Sequence, residues 1–227
     1  MELMVKGRKI CVNDEDADFH IHSNLSDGLN SIDEIVNYAG KIGLKKIAIT
    51  DHSDCWRIAH AYDRRSKTPK RTFYERWKNI HNSVEVLKGI EMDLFDPDSQ
   101  ILCEPVLDDY EFIILSAHPH VYKGSPEQIT EAYLKAIDEY SDEIDVIGHL
   151  CANYFASYLD VEKVVRRAND AGIAQEINCS NLDKEITDIE KLREMISLAD
   201  VIYVNSDAHT LNELHLRRLG YDFLKNA

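Results

Sequence analysis

Glu111-Phe112-Ile113-Ile114-Leu115-Ser116-Ala117-His118 is the stretch on which the fold turns. The apolar run reads as a buried strand, and it stops at a histidine where a loop begins. The same event recurs along the chain. Strands expected at about 16–22, 46–50, 84–91, 144–148 and 201–205 end on His20 and His22, on Asp51-His52, on Glu91, on His149, and on Asp207 with His209. Of the expected strands, Ile173–Asn178 alone lacks such an ending. In α/β proteins the carboxyl ends of parallel strands converge on one rim, where active sites are built, so these scattered residues read as one site.

Helices fill the intervals. Ser31 reads as an N-cap with Glu34 completing a capping box, and Ile32, Ile35, Val36 and Ala39 form one apolar face that Gly43 ends. Ser125-Pro126-Glu127-Gln128 starts a helix running to about Tyr140. Asp160 caps another, with Val161, Val164, Val165 and Ala168 facing inward before Gly172. Further helices are expected near 70–82, 187–199 and 210–219, while 92–110 reads as irregular. Seven strands alternating with helices imply a parallel sheet. Residues from the first, middle and last strands can share a metal only if that sheet curls, so a barrel is expected.

The chain of 227 residues is long enough for one full core, and a single domain over 1–227 is expected. A formal charge of -15 argues against coating a polynucleotide or an anionic membrane, though a small phosphorylated substrate at a local cationic site is compatible with it. Five cysteines, widely spaced and without a C-x-x-C pair, fit reduced thiols in a cytoplasm. No stretch has the length of a membrane span, and Met1–Ile10 lacks the apolar core of a signal peptide. The oligomeric state is not legible.

The residue types point to metal chemistry. His20 and His22 are two apart on a strand and face the same way, so both imidazoles can grip one cation. Asp27, in Ser26-Asp27-Gly28, lies in a turn that can return a carboxylate over the strand end. Glu91 ends an apolar run, where an unpaired carboxylate would be costly, and its two oxygens can bridge two cations. The histidines at hand exceed what one zinc needs.

In order, His20-x-His22, Ser26-Asp27-Gly28, Thr50-Asp51-His52, Gly89-Ile90-Glu91, His118, Gly148-His149 and Ser206-Asp207-x-His209 resemble the PHP family, named for polymerase and histidinol phosphatase. The resemblance covers essentially the whole chain. It implies a distorted (β/α)7 TIM-like barrel with two to three divalent ions at the carboxyl rim. By motif, His20, His22, Glu91 and Asp207 would hold one ion; Glu91, His118 and His149 a second; Asp27, His52 and His209 a third. Many members carry histidine where this chain has Asp27. Imidazole and carboxylate ligands without thiolate suit zinc, manganese or iron. The expected function is phosphoester hydrolysis of a small metabolite by a metal-bridging hydroxide, with Glu91, Asp207 and His209 as the catalytic residues.

On the substrate side, a basic stretch from Arg57 to Lys78 offers Arg57, Arg64 and Arg65 as phosphate contacts, with Lys184 a further candidate. Histidinol phosphatases of the family share Glu176-Ile177-Asn178 but typically carry an arginine shortly after it, whereas this chain reads Cys179-Ser180-Asn181-Leu182-Asp183-Lys184. Histidinol phosphate is therefore one candidate substrate. A PHP-type nuclease and an amidohydrolase-type C–N hydrolase are the competing readings. His60, His81 and His215 are expected to be exposed or packing residues.

Overall fold

The computed structural model describes residues 1–5, 7–60, 82–103 and 107–226. Its strands are β1 (Glu2–Val5), β2 (Arg8–Val12), β3 (Ala17–Asp18), β4 (Lys46–Ile49), β5 (Glu85–Asp93), β6 (Phe112–Ser116), β7 (Val146–Ile147), β8 (Ala174–Asn178) and β9 (Val201–Asn205). They form one sheet in the order β1-β2-β9-β8-β7-β6-β5-β4-β3, and every neighbouring pair from β3 to β9 is parallel. The helices are α1 (Ile32–Lys41), α2 (Asp54–Ala59), α3 (Ile129–Tyr140), α4 (Val161–Ala171), α5 (Cys179–Asp183), α6 (Ile189–Leu198) and α7 (Arg217–Lys225). This is the expected alternation of parallel strands and helices.

The seam between first and last strands is narrow. The β3 ladder is only two residues long, but the chain stays extended to Ile21, which bridges Ala208 in parallel. The His22 N–H donates to the Ala208 carbonyl at 2.9 Å, and below that point Asp18 Oδ1 accepts from the Ser206 N–H at 3.1 Å. So short a β3 leaves the amino-terminal part of β9 without a partner on that side. The β1–β2 hairpin, which sequence reasoning did not assign, covers it: Cys11 and Val12 of β2 pair with Val201 and Ile202.

Alternation along the strands layers the interior. Ala17, Phe19, Ala48, Phe112, Ile114, Val146 and Ala174 pack into an apolar plug, where the Phe19 and Phe112 rings stack at 5.0 Å. One step up, on the same faces as Ile114 and Val146, come Ser116 and Gly148, and above them the metal-ligand candidates. Outside the sheet, helices bury the faces that periodicity indicated: Val161, Val164, Val165 and Ala168 of α4, behind the Asp160 N-cap, and Ile32, Ile35, Val36 and Ala39 of α1, behind the Ser31–Glu34 capping box.

Two expectations are corrected. The segment after β4 opens with α2, capped by Ser53, where only a loop was expected. That helix brings Cys55 to Cys103 in a disulfide with a Cα–Cα distance of 6.0 Å across 48 residues of sequence, so the expected five free thiols are three: Cys11, Cys151 and Cys179. The pairing depends on tertiary proximity that linear spacing does not encode. The expected helix near 70–82 falls largely outside the described residues. Among the described residues no helix is long and apolar enough to cross a membrane.

The layer beneath the rim has no spare room. A Cβ on Gly148 would collide with Ser116 Oγ and come within 2.6 Å of Ile114 Cγ2. Gly148→Ala should therefore lower stability by about 1–3 kcal/mol in a chemical denaturation series, the usual cost of overpacking. An unchanged midpoint would contradict this layering.

Candidate metal centre

Glu91 sits at the middle of the rim with a relative exposure of 1%. Its Oε1 lies 2.8 Å from His149 Nε2 and 3.6 Å from His118 Nε2. Its Oε2 lies 2.7 Å from His52 Nδ1, 3.6 Å from His20 Nε2 and 3.5 Å from His22 Nε2. Asp207 Oδ1 stands 3.5 Å from His20 Nε2 and 3.2 Å from His22 Nε2. Across the cluster, Asp27 Oδ2 is 3.0 Å from His209 Nε2 and 3.5 Å from His52 Nε2, while Oδ1 is 3.5 Å from His22 Nδ1. All nine residues singled out as ligands in the sequence thus share one locus.

Among the described residues, three sets of donor atoms lie close enough to hold an ion: His22, Asp27, His52 and His209; His20, His22 and Asp207; His52, Glu91 and His118. These overlap the motif-based sets without matching them: His52 faces both Asp27 and Glu91, His22 faces both Asp27 and Asp207, and His149 falls in none of the three. The donor atoms fit cations. Among the described residues His20 Nε2, both ring nitrogens of His22 and Asp27 Oδ1 are buried with no hydrogen-bond partner, while His52 Nδ1 and Glu91 Oε2 face each other at 2.7 Å. Buried polar atoms are rarely left so, and here the orphans converge on one another.

Local backbone serves this placement. His149 and Asp207 leave their strands with φ of 26° and 53°, in the left-handed region that non-glycine residues seldom adopt. Asp51, though next to His52, is not part of the cluster. It accepts from the Ser23 N–H at 2.8 Å, Ser23 Oγ at 2.7 Å and Ser26 Oγ at 2.6 Å, and so holds the turn that presents Asp27.

Behind the ligands are two carboxylates that sequence reasoning did not assign. Asp93 Oδ1 lies 2.6 Å from His118 Nδ1, with Ser53 Oγ donating to its other oxygen, and Glu176 Oε1 lies 2.8 Å from His20 Nδ1. A carboxylate on the far ring nitrogen fixes a ligating histidine's tautomer and orientation. The period-two spacing of Asp93 from Glu91 was a usable signal. So was an acid in the middle of buried β8.

Charge couples these groups. Burial pushes the Glu91 carboxyl upward, but the imidazoles of His52, His118 and His20 overcome it and hold it well below the ordinary carboxylate range. Asp207 and Asp27 are likewise depressed against burial by the histidines around them. Conversely, burial disfavours the charged form of His52, yet Glu91 and Asp27 raise it to about 10. His20, His149 and His209 are raised in the same way, whereas burial together with the neighbouring His209 and His52 lowers His22.

A cavity of about 310 Å³ opens onto the cluster. Trp56 forms part of its wall, stacked on His52 at 3.8 Å and on His60 at 4.0 Å, while Tyr154, His120 and Lys184 also line it. His60 is thus a cavity residue as well as a packing one. His215 lies elsewhere, 3.0 Å from the Tyr38 hydroxyl. Arg57 does not line the cavity: it is buried, paired with Asp54 and donating to the Leu25 carbonyl at 3.2 Å. Arg64, Arg65 and His81 lie outside the described residues.

A rim of parallel strand ends carrying this cluster is the arrangement of a metal-dependent hydrolase. The model of the PHP domain matches residues 18–199, and the chain belongs to that family. It is 25% identical over 209 residues to the DNA polymerase/3'-5' exonuclease PolX of Bacillus subtilis, covering 89% of this chain but only 36% of that protein. It is 29% identical over 203 residues to a probable phosphatase of Clostridium novyi, covering 85% and 78% of the two chains. The fold is similar to that of the Lactococcus lactis histidinol phosphate phosphatase, solved with zinc, L-histidinol and phosphate, with a TM-score of 0.59, 18% identity and 92% of each chain covered.

The raised imidazoles give the ion-free protein a characteristic pH dependence. His52, raised from 6.5 to about 10, stabilises the ion-free fold fully below about pH 6.5, and that contribution is lost as the pH rises through 10. The depressed carboxyls of Glu91 and Asp207 contribute above their unfolded values of 4.5 and 3.8 and are lost only in acid. Thermal unfolding after exhaustive chelation should therefore show a midpoint that falls between pH 6.5 and 10, and saturating Mn²⁺ or Zn²⁺ should flatten or reverse the slope, because ions displace the protons. A flat ion-free profile over that interval would contradict the assigned charge state.

Proposed function

We propose that the protein is a metal-dependent phosphomonoesterase acting on a small phosphorylated metabolite. The observation that carries this reading is the set of unpartnered donor atoms around Glu91 at the floor of a cavity of about 310 Å³, a volume at the lower end of the small-molecule range. In this reading His20, His22, Glu91 and Asp207 hold one ion, Glu91, His118 and His149 a second, and Asp27, His52 and His209 a third, the ions being zinc, manganese or iron. When bound, such ions supply a nucleophile active at neutral pH and neutralise charge on the phosphoryl group.

The chain's own residues do the rest. Glu91 directs one oxygen toward His118 and His149 and the other toward His20, His22 and His52, the arrangement a bridging carboxylate needs. Buried ligands hold the floor rigid, so a phosphoryl group entering from the cavity meets a preformed surface. Lys184 sits where a cation can pair with phosphate oxygens, and Trp56, Tyr154 and His120 form a wall for the alcohol moiety. Histidinol phosphate is one candidate, supported by the likeness to the Lactococcus lactis enzyme.

The PolX relative raises a second reading, a nuclease. The net charge of -15 weighs against a polymeric phosphate substrate.

Glu91→Ala and Asp207→Ala should each reduce turnover of a generic phosphomonoester at least about 10³-fold while leaving a folded chain by circular dichroism, as expected for loss of a group that organises the reacting centre. A fully active variant of either overturns the assignment. Across a panel of phosphomonoesters, histidinol phosphate and single-stranded DNA, phosphomonoesters should turn over fastest; preferential digestion of DNA would instead establish the nuclease. Lys184→Ala should raise KM for the best ester about 10-fold with a smaller effect on kcat, and an unchanged KM would remove Lys184 from the substrate site.

A further inference from the structure

Glu176 occupies the middle of β8, between Ala174 of the apolar plug and Asn178 nearer the rim, and its side chain is fully buried. Four groups converge on it. Oε1 faces His20 Nδ1 at 2.8 Å and accepts from Asn205 Nδ2 at 2.9 Å. Oε2 accepts from the backbone N–H of His149 at 2.9 Å and from Asn178 Nδ2 at 3.1 Å. The Asn178 amide is shared, reaching Asp207 Oδ2 at 3.1 Å as well.

We propose that Glu176 is the positioning residue of the metal centre: it fixes His20, the His149 turn and, through Asn178, Asp207, and so sets the affinity for both ions that share Glu91. This rests on the reading of those residues as ligands.

The chemistry of the four contacts requires a carboxylate. Asn205, Asn178 and the His149 amide are donors, and with a proton on Nδ1 His20 is a fourth, so only a group with two acceptor oxygens satisfies them together. Engaging His20 Nδ1 leaves Nε2 as the ring nitrogen available to an ion, and Nε2 is the atom that points into the cluster, 3.5 Å from Asp207 Oδ1 and without a hydrogen-bond partner among the described residues. His149 and Asp207 are the two ligands with left-handed backbone, a conformation that persists only when its surroundings enforce it. Glu176 holds the first by its N–H and reaches the carboxylate of the second through one amide.

A glutamine here would be the same size yet wrong on one side. Its NH₂ would face either His20 and Asn205 or the His149 N–H and Asn178, donor against donor in both cases, and against His20 it would force the proton onto Nε2.

The test compares wild type, Glu176→Gln and Glu176→Asp by chelator-competition titration with Mn²⁺ and Zn²⁺, ion count per chain and thermal unfolding of the ion-free proteins. Glu176→Gln should weaken the affinity for the ions at Glu91 about 10- to 100-fold and lower the ion count per folded chain at limiting metal, alongside a lower ion-free unfolding midpoint from its mispaired buried amide. Glu176→Asp, which keeps two acceptor oxygens, should recover part of the affinity. If Glu176→Gln does not fold, Asn178→Ser reads the relay alone and should weaken ion binding several-fold. Wild-type affinity and ion count in Glu176→Gln, or in Asn178→Ser where that variant is used, overturn the proposal while leaving the ligand assignment standing. A wild-type chain that takes up no ion overturns both.

Discussion

The structure depends on a charge that has been taken out of water. Glu91 is 1% exposed and its carboxylate is met by the imidazoles of His20, His22, His52, His118 and His149. An isolated carboxylate at that depth would protonate or force the site open. Here the net effect of its neighbours keeps it ionised against burial. The histidines come from the extended segment after β3 and from the loops after β4, β6 and β7, so Glu91 is accommodated only if those strand ends meet. The narrow seam at Ile21 and Ala208 meets this requirement by bringing the His20–His22 segment beside Asp207.

The strands could not approach so closely with ordinary side chains throughout. Between the Phe19–Phe112 plug and the ligands, Gly89 and Gly148 occupy positions where a Cβ would strike neighbouring strands. Their small volume lets the rim draw in over the plug. The plug in turn excludes water from below, which strengthens every ion pair above it. Packing and electrostatics are therefore one design, with the dry layer giving the charged layer its strength.

Much of this was legible in residue order. Phe112–Ser116 and Ala174–Asn178 stand out as buried strands, α1 and α4 carry readable caps and apolar stripes, and every motif ligand reaches the rim. Features that depended on tertiary proximity were not. Helix α2 has six residues, too few for periodicity to register, so neither the Trp56 stack on His52 nor the Cys55–Cys103 link could be foreseen. The β1–β2 hairpin has the alternation of a strand pair, yet its role arises only because β3 is short. Arg57 shows the converse. A basic residue beside a phosphate site suggests a clamp, but its guanidinium is engaged by Asp54 and the Leu25 carbonyl.

Support for the cluster changes character from one side to the other. His20 and Glu176 are fully buried and held by strand-borne partners, whereas His209 has a quarter of its side chain exposed and Asp27 rides on a turn tied down by Asp51 through Ser23 and Ser26. Aspartate at 27 suits that outer position. Its two oxygens face three imidazoles, His22, His52 and His209, where a histidine could aim only one ring nitrogen inward. The carboxylate also adds its negative charge to those of Glu91, Asp207 and Glu176. In the ion-free protein these charges are opposed by protons held on His20, His52, His149 and His209 above their ordinary range. Protons and cations therefore compete for the same lone pairs, which links the protonation of the buried cluster to its metal content.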